Sequence, residues 1–292
     1  MIERVLILGT GLLGTSTGLA LRAAGFAGAI AGWDKDPKQS QEALRLNAID
    51  AIAPDPLEAA KASQLILLAT PVYAILDWME QLSPILGPSQ LITDVGSTKA
   101  VITSTGNRLF NQPGRAAFLP GHPMAGKEVG GAAEADAAIF RGAVWIFTTD
   151  PWISLQKKGD ISPEAAELGM EWMQCIRNFG CRVLEIDAAR HDELVAWVSH
   201  LPQFLATALT ALLEAEVGDA PELKAVGGRA LREMTRLGSS PYSMWRDVAY
   251  TNTEAIAAAI HALEQRLAHL RENLRTPELR DEFDLANRFR KG

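Results

Sequence analysis

The sequence predicts an α/β domain built on a mostly parallel sheet, followed by an all-α domain, and two features of the chain carry this prediction. Up to Ile186, short continuous apolar runs alternate with segments of helical length, as in parallel strands whose two faces are both covered by helices. From Ala188 to Phe289 no segment has the character of a strand, and long helical stretches follow one another. We therefore expect an α/β domain at residues 1–188 and a helical domain at residues 189–292.

The α/β part is predicted strand by strand. The run 2–8 is a buried strand, and the helix over 12–25 ends at Gly25, a residue suited to a helix C-terminus. The apolar run 29–33 is the second strand and leads to Asp34. The later elements continue the same alternation. They are strands at 64–69, 89–94, 116–119, 143–148 and 182–186, and helices at 38–47, 71–83, 97–110 and 163–179.

The helical part begins with a long amphipathic helix over 189–216. Its apolar side chains form a broad stripe, yet a domain of roughly 100 residues has only a limited core of its own. A second copy of the chain would cover this stripe, so we predict a homodimer. The stripe consists of Leu194, Trp197, Val198, Leu201, Leu205 and Leu212.

Composition and charge exclude several classes of partner. The net charge of −7 offers no electrostatic footprint for nucleic acid. Residues 5–33 are nearly uncharged, but glycines interrupt them and no basic cluster precedes them, so we expect neither a targeting segment nor a membrane span. Cys175 and Cys181 have no metal-type spacing. Unpaired thiols of this kind are typical of a reduced, cytoplasmic protein without a metal site.

The turn between the first strand and the first helix reads GTGLLG, with glycines at 9, 11 and 14. Gly9 permits a tight turn, Gly11 lets the backbone approach a pyrophosphate, and Gly14 allows the helix to pack closely on the strand. The N–H groups at the helix N-terminus, including those of Leu12 and Leu13, then face the phosphates. This combination predicts a Rossmann-type dinucleotide site; a tight strand–helix turn without a ligand is the alternative.

Asp34 lies at the end of the second strand, twenty residues after Gly14 (34 − 14). A carboxylate at this place accepts a hydrogen bond from the ribose 2′-hydroxyl of NAD and repels the 2′-phosphate of NADP. Lys35 weakens that repulsion and Asp36 restores it. We therefore predict NAD as the cofactor.

Two loops follow predicted strands at the sheet edge where ligands bind in such folds. Residues 118–131 (FLPGHPMAGKEVGG) are rich in Gly and Pro and are predicted to form a loop. DVGSTK (94–99) follows the preceding strand. A nicotinamide-dependent oxidation of an alcohol needs a base near the hydroxyl, and His122 suits this task because histidine titrates near neutral pH. A loop histidine that caps a backbone carbonyl is the alternative.

Further motifs run through both domains: ATPV (69–72), DVGSTK (94–99), GHPMAGKE (121–128), SHLPQ (199–203), TR (235–236) and MWRD (244–247). Together with GTGLLG, and in this order, they resemble the prephenate/arogenate dehydrogenases of tyrosine biosynthesis. The resemblance covers nearly the whole chain, and the DVGSTK, GHPMAG and SHLP combination is specific where a glycine turn is not. It implies a Rossmann domain followed by an all-α dimerisation domain. It also implies NAD⁺-dependent oxidative decarboxylation of prephenate, arogenate or both.

The resemblance further implies roles for individual residues. His122 matches the histidine that accepts the proton of the ring 4-hydroxyl as hydride leaves C4. Ser97 matches the serine that hydrogen-bonds this histidine and the hydroxyl, and it is also expected beside the cofactor. Thr70 and Pro71, from ATPV, are expected to line the cofactor. Ser97 equally suits the N-cap of a helix at 98–110, which does not exclude its other role.

Prephenate carries two carboxylates, so cations are expected near it. Arg236 matches the family's carboxylate-binding arginine, whose guanidinium suits a bidentate grip; a cation at a helix C-terminus is the alternative. His200 matches a substrate contact, with a satisfied boundary histidine as the alternative. Glu128 matches an acid near the site. Trp245 is assigned to the core or to an interface.

Gln203 departs from the pattern, because many relatives have a second histidine there, one turn after His200. A neutral glutamine suits an amino group as well as a keto group, so the choice between prephenate and arogenate stays open. Another two-domain dehydrogenase, of the β-hydroxyacid or imine reductase type, would typically place a catalytic Lys or Asp on the first long helix of the second domain. Here that helix carries His200 and Gln203 and no lysine, which disfavours this alternative. A dinucleotide-sensing protein without chemistry is disfavoured because Ser97 and His122 are both present.

Overall fold

The computed structural model describes residues 1–148, 158–218 and 220–291. The chain forms two compact units, and each takes residues from two stretches of the sequence. The first unit comprises Met1–Glu193 and Ser239–Thr251, and the second comprises Leu194–Gly238 and Asn252–Gly292. Residues 239–251, which a linear division at 188 assigns to the helical domain, thus belong to the first unit.

The first unit is built on a six-stranded parallel sheet with strand order β3-β2-β1-β4-β5-β6. The predicted α/β fold with a mostly parallel sheet is confirmed. The strands are β1 (Arg4–Leu8), β2 (Ala29–Trp33), β3 (Ala51–Ile52), β4 (Leu65–Leu68), β5 (Leu91–Asp94) and β6 (Ala117–Leu119). The helices between them are α1 (Leu12–Ala23), α2 (Pro37–Arg45), α3 (Pro56–Ala62), α4 (Val72–Leu82) and α5 (Ala100–Leu109).

The central strands β1, β4 and β5 are buried on both faces almost throughout, which explains their nearly continuous apolar runs. Along β1, Val5 and Ile7 belong to one apolar cluster, while Leu6 and Leu8 belong to another. Helix α1 ends as predicted, because Gly25 adopts the left-handed conformation with φ of +85°. Short β3 and helix α3 were not predicted.

Three further strands form a separate sheet in the order β7-β8-β9. The sequence pattern had predicted that the strands at 143–148 and 182–186 belong to the same mostly parallel sheet as the earlier ones. They are β7 (Gly121–Pro123), β8 (Val144–Phe147) and β9 (Arg182–Glu185), with α6 (Pro163–Asn178) before β9. Strand β7 is antiparallel to β8, and β8 is parallel to β9. The prediction of a loop throughout 118–131 is therefore wrong at 121–123. Pro123 is accommodated because β7 is an edge strand, where a missing N–H breaks no ladder bond.

A long helix, α7 (Ala188–Val217), follows β9, as predicted, and contains a π-helical segment at Ala196–His200. Pro202 explains this segment, because proline lacks an N–H and its ring excludes the carbonyl four residues earlier. By length and composition alone, α7 is apolar enough to cross a membrane. A single helix of this kind is weak evidence for a membrane span.

The second unit is helical, and its predicted apolar stripe is largely uncovered. Trp197, Val198 and Leu212 are 52%, 65% and 56% exposed, as expected of a surface that a partner covers. The remaining helices of the chain are α8 (Pro221–Val226), α9 (Arg229–Thr235), α10 (Tyr242–Thr251), α11 (Thr253–Glu272) and α12 (Glu278–Lys291), of which α10 lies in the first unit.

Candidate active site

The glycine turn after β1 has three glycines in three different environments. Gly9 has φ of +95°, and a Cβ there would lie 2.3 Å from the carbonyl oxygen of Ala69. At Gly14 a Cβ would lie 1.9 Å from the carbonyl oxygen of Gly9, because α1 packs directly on the turn. A Cβ at Gly11 would meet nothing within 4 Å. The turn is thus closed at its two ends and open at Gly11, as a pyrophosphate cradle requires.

The groups around this cradle suit a dinucleotide. Gly11 is the N-cap of α1 and offers no side-chain cap, so the N–H groups of Leu12 and Leu13 remain suited to phosphate oxygens. At the end of β4, the hydroxyl oxygen of Thr70 is buried and has no hydrogen-bond partner among the described residues. Pro71 is exposed and precedes α4. A buried hydroxyl without a partner is uncommon and fits a site that a ligand completes.

Asp34 is held in place by the backbone on both sides of it. Its Oδ2 accepts a hydrogen bond from the N–H of Thr10 (2.8 Å), and its Oδ1 accepts from the N–H of Asp36 (2.9 Å). Each carboxylate oxygen has further acceptor capacity. The side chain is therefore fixed beside the glycine turn in an orientation that suits ribose hydroxyls.

His122 lies on β7, opposite Ile146 of β8, and is 7% exposed. Its Nδ1 lies 2.8 Å from Nε2 of His191, and the two rings meet edge-on with centroids 5.0 Å apart. The neighbouring Asp192 continues the chain of contacts, since its Oδ1 lies 2.7 Å from Nδ1 of His191. The carboxylate of Asp192 also accepts hydrogen bonds from the N–H of Lys99, the N-cap residue of α5 (2.7 Å), and from the N–H of Ala100, its first residue (2.9 Å).

His191 and Asp192 were not singled out from the sequence. Their contact with His122 joins residues 69 positions apart, so no local pattern reveals it. One signal was available: an adjacent His–Asp pair at the start of the long helix, in a chain with only five histidines. Burial lowers the pKa of His191 and outweighs the opposing hydrogen bond to Asp192, while the charge of Lys99 lowers the pKa further.

A buried ion pair between Lys99 and Asp94, the two ends of the DVGSTK motif, holds β7 against the end of β5. The ammonium of Lys99 also donates to the carbonyl oxygen of Gly121 (2.8 Å), and Asp94 Oδ1 accepts from the N–H of the same glycine (3.0 Å). Both charged side chains are fully buried. Burial lowers the pKa of Lys99, and the adjacent carboxylate of Asp94 opposes this. The pair fixes the residue immediately before His122.

Ser97 is half-buried in the loop between β5 and α5. Its alternative assignment as a helix N-cap is wrong, because α5 begins only at Ala100 and its first N–H groups bind the distant carboxylate of Asp192. The hydrogen bond between Ser97 and His122 remains a prediction. Glu128 is half-buried in the loop after β7.

Asp247, from the MWRD motif, joins α10 to the parallel sheet unit in a similar way. Its carboxylate accepts from the N–H of Tyr73 in the first turn of α4 (3.3 Å) and from the guanidinium of Arg246. The hydroxyls of Thr98 and Thr251 meet at 2.7 Å. These contacts explain why residues 239–251 belong to the first unit. The neighbouring Trp245 is half-buried.

In the second unit, α7 supports the turn that carries Arg236. The amide nitrogen of Gln203 donates to the carbonyl oxygen of Leu237 (2.7 Å). A Cβ at Gly238 would lie 2.4 Å from Thr210 Oγ1, so the turn packs directly on α7. Arg236 is exposed and begins a 3₁₀ turn, Arg236–Ser239, immediately after α9. Its position at a helix C-terminus is the one that the alternative interpretation describes.

His200 is 1% exposed, and its Nδ1 lies 3.3 Å from the side-chain nitrogen of Asn252, the N-cap residue of α11 in the same unit. It lies at the last position of the π-helical segment, one residue before α7 returns to regular α-helix. π-Helical turns of this kind occur often at functional sites. The structure therefore brings Gln203 and the Arg236 turn together on α7, and places His200 one turn earlier.

Two family models match the chain, "Prephenate dehydrogenase, nucleotide-binding domain" over residues 17–154 and "Prephenate dehydrogenase, dimerization domain" over residues 187–290. The chain is 30% identical to a prephenate dehydrogenase of Bacillus subtilis over 257 residues, which span 88% of this chain and 66% of that protein.

Two crystal structures show the same fold over nearly the whole chain. A prephenate dehydrogenase from Aquifex aeolicus, in complex with hydroxyphenyl propionate and NAD⁺, is 27% identical, with a TM-score of 0.82 and coverage of 100% of this chain and 96% of that one. An arogenate dehydrogenase from Synechocystis is 25% identical, with a TM-score of 0.73 and 99% coverage of both chains.

Proposed function

The chain belongs to the prephenate dehydrogenase family, and from this premise we propose that it catalyses the NAD⁺-dependent oxidative decarboxylation of prephenate, arogenate or both. The observation that supports this most strongly is the buried contact between His122 Nδ1 and His191 Nε2. His122 lies on β7, which is held against the end of β5 in the parallel sheet. A histidine fixed through Nδ1 directs Nε2 towards a substrate proton. The product would be 4-hydroxyphenylpyruvate from prephenate and tyrosine from arogenate.

In this reaction His122 takes the proton of the ring 4-hydroxyl while hydride leaves C4. The nicotinamide ring of the cofactor, when bound, would supply the hydride acceptor. Carbon dioxide then leaves C1, and its bonding electrons make the ring aromatic as a phenolate, which regains a proton. Ser97 hydrogen-bonds the hydroxyl and His122 and keeps the two in line. Aromatisation makes the reaction irreversible.

The cofactor is assigned to the cradle at the glycine turn. The main-chain N–H groups of Leu12 and Leu13 bind its phosphates, the open side of Gly11 admits them, and Thr70 with Pro71 lines the adjoining wall. Asp34 binds the ribose hydroxyls and disfavours the extra phosphate of NADP. The open face at Gly11 and the buried Thr70 hydroxyl support this assignment.

Side chains of the second unit are assigned to the substrate. Arg236 binds a carboxylate, and His200 makes a further polar contact. Gln203 contacts the substrate side chain and also supports the Arg236 turn through Leu237. Glu128 contributes an acid near the site. The neutral amide of Gln203 suits the keto group of prephenate and the amino group of arogenate equally, so both are candidate substrates.

The active form is assigned as a homodimer through the helical unit. The exposed Trp197 and Val198 and the match of residues 187–290 to a dimerization-domain model support it. A cytoplasmic location is supported by two free cysteines, of which Cys181 is buried.

The test is NADH formation from NAD⁺ with prephenate and arogenate supplied separately, together with identification of the product. We expect NADH and carbon dioxide in equal amounts with at least one substrate. A protein that binds NAD⁺ but reduces it with neither substrate would contradict the proposal. Heat-denatured protein controls for spontaneous aromatisation of the substrate.

A further inference from the structure

A chain of three buried side chains leads from His122 to the N-terminus of α5. His122, His191 and Asp192 are 7%, 0% and 5% exposed. The ring nitrogens of the two histidines lie 2.8 Å apart, and His191 Nδ1 lies 2.7 Å from Asp192 Oδ1. All three residues lie in the first unit. The distribution of protons along this chain can be worked out from its fixed end.

Asp192 is the fixed end because backbone donors bind both of its oxygens. Oδ1 accepts from the N–H of Lys99 and Oδ2 accepts from the N–H of Ala100. A helix N-terminus also favours a negative charge at this position. The carboxylate therefore acts as an acceptor towards His191, and His191 Nδ1 must carry the proton in that contact.

His191 can be neutral or an imidazolium, and the two states have opposite consequences. Burial, the largest influence, lowers its pKa, and the buried ammonium of Lys99 acts in the same direction. A neutral His191 with its proton on Nδ1 has a lone pair on Nε2. It then accepts a hydrogen bond from His122, so His122 must carry its own proton on Nδ1. A cationic His191 would reverse this bond and leave the proton of His122 on Nε2.

We propose that His191 and Asp192 are positioning residues that hold His122 in the Nδ1–H tautomer, so that Nε2 carries the lone pair needed by a base. The role of this lone pair in catalysis rests on the proposed function. In the reaction the substrate hydroxyl proton moves to His122 Nε2, and the resulting imidazolium keeps its Nδ1–H bond to His191. This hydrogen bond to a neutral acceptor, backed by the carboxylate, stabilises the positive charge that develops on His122.

The tautomer is measurable without any substrate. In the intact protein labelled with nitrogen-15 histidine, the ring nitrogens of protonated and unprotonated type have well-separated chemical shifts. With five histidines in the chain, the signals of His122 are those absent from His122→Asn. We expect its Nδ1 to be protonated and its Nε2 unprotonated at neutral pH. A His122 ring protonated on Nε2 would overturn the proposal.

Two substitutions of His191 separate a positioning role from simple packing. His191→Gln retains a carbonyl acceptor near the place of Nε2, whereas His191→Leu fills the space without an acceptor. We expect His191→Leu to lose the Nδ1–H tautomer and to lower kcat at least about tenfold, with an unchanged Kd for NAD⁺. His191→Gln should retain the tautomer and most of kcat. Exposed His261 provides the control His261→Gln, for which no change is expected.

Two results would overturn the positioning role of His191. One is a His191→Leu variant whose kcat stays within about twofold of wild type. The other is an equal loss of kcat in the His191→Gln and His191→Leu variants. If His191→Leu fails to fold, the spectrum of the unaltered protein still decides the tautomer. Because that spectrum needs no substrate, inactivity towards prephenate and arogenate would contradict the proposed function but would leave the tautomer assignment of His122 unchanged. The two failures are therefore distinguishable.

Discussion

Two alanine substitutions in the glycine turn should have different effects: Gly14→Ala should lower the stability of the fold, and Gly11→Ala should weaken NAD⁺ binding. In Gly14→Ala, the new methyl group would lie 1.9 Å from the carbonyl oxygen of Gly9, whereas ordinary contact begins at 3.4 Å. The helix must therefore move by the difference, 3.4 − 1.9 = 1.5 Å. In Gly11→Ala, the methyl group meets nothing within 4 Å, and φ of −74° suits any residue.

The expected magnitudes follow from these distances. Overpacking of a tight contact costs about 1–3 kcal/mol, so Gly14→Ala should unfold at a lower temperature, by about 2–4 °C for each kcal/mol. Gly11→Ala should cost at most about 1 kcal/mol, because Ala is a poorer N-cap residue than Gly but its methyl group meets no steric clash. Its methyl group occupies the approach of the pyrophosphate, so Kd for NAD⁺ should rise at least about tenfold, which is roughly 1.4 kcal/mol.

Thermal unfolding followed by tryptophan fluorescence gives the stability of both variants, and isothermal titration with NAD⁺ gives their affinities. The reasoning would be refuted by a Gly11→Ala variant that binds NAD⁺ as wild type does, because the pyrophosphate would then pass elsewhere. A Gly14→Ala variant of undiminished stability would show that the contact between α1 and the turn is looser than these distances indicate.

Three further outcomes are expected. Arg236→Gln should raise KM for the substrate far more than it lowers kcat, while exposed Arg229, substituted in the same way, leaves both unchanged; an unaltered KM in Arg236→Gln would dismiss its carboxylate role. Wild-type kcat/KM should be higher with NAD⁺ than with NADP⁺, and Asp34→Ser should narrow the difference; equal values in the wild type would remove Asp34 as the discriminating residue. Gel filtration should show twice the 31.5 kDa chain mass, and Trp197→Glu should shift the protein towards the monomer mass. A wild-type protein that runs at the monomer mass would contradict the prediction that a second copy covers the apolar stripe of α7.

Much of the parallel sheet was predictable because its determinants are local. Strand β2 and helix α1 were predicted closely, since continuous apolar runs and glycines such as Gly25 mark their ends within a few residues. Helix α3 was missed although Asp55 and Pro56 provide an N-cap and a first-turn proline that announce it. Strand β3, with two residues, is too short for any periodic pattern.

What the sequence does not reveal are contacts between distant segments. Strand β7 exists because Gly121–Pro123 pairs with β8, and its local composition indicates only a loop. The N-termini of α4 and α5 are capped by Asp247 and Asp192, each from a remote part of the chain, whereas sequence rules look for a cap beside the helix. The loop after a predicted strand made His122 a candidate base and the resemblance to a family favoured that role, but its contact with His191 became visible only in the folded chain.

The central claim, that His122 is the base of the reaction, is tested most directly by kcat in His122→Asn, with Kd for NAD⁺ measured on the same protein. General-base catalysis contributes about 10²–10⁴ in rate, so kcat should fall by at least about a hundredfold while Kd for NAD⁺ is unchanged. His261→Asn, the same substitution at an exposed position, should retain the wild-type rate. A His122→Asn variant that loses only a factor of about two in kcat would contradict the account.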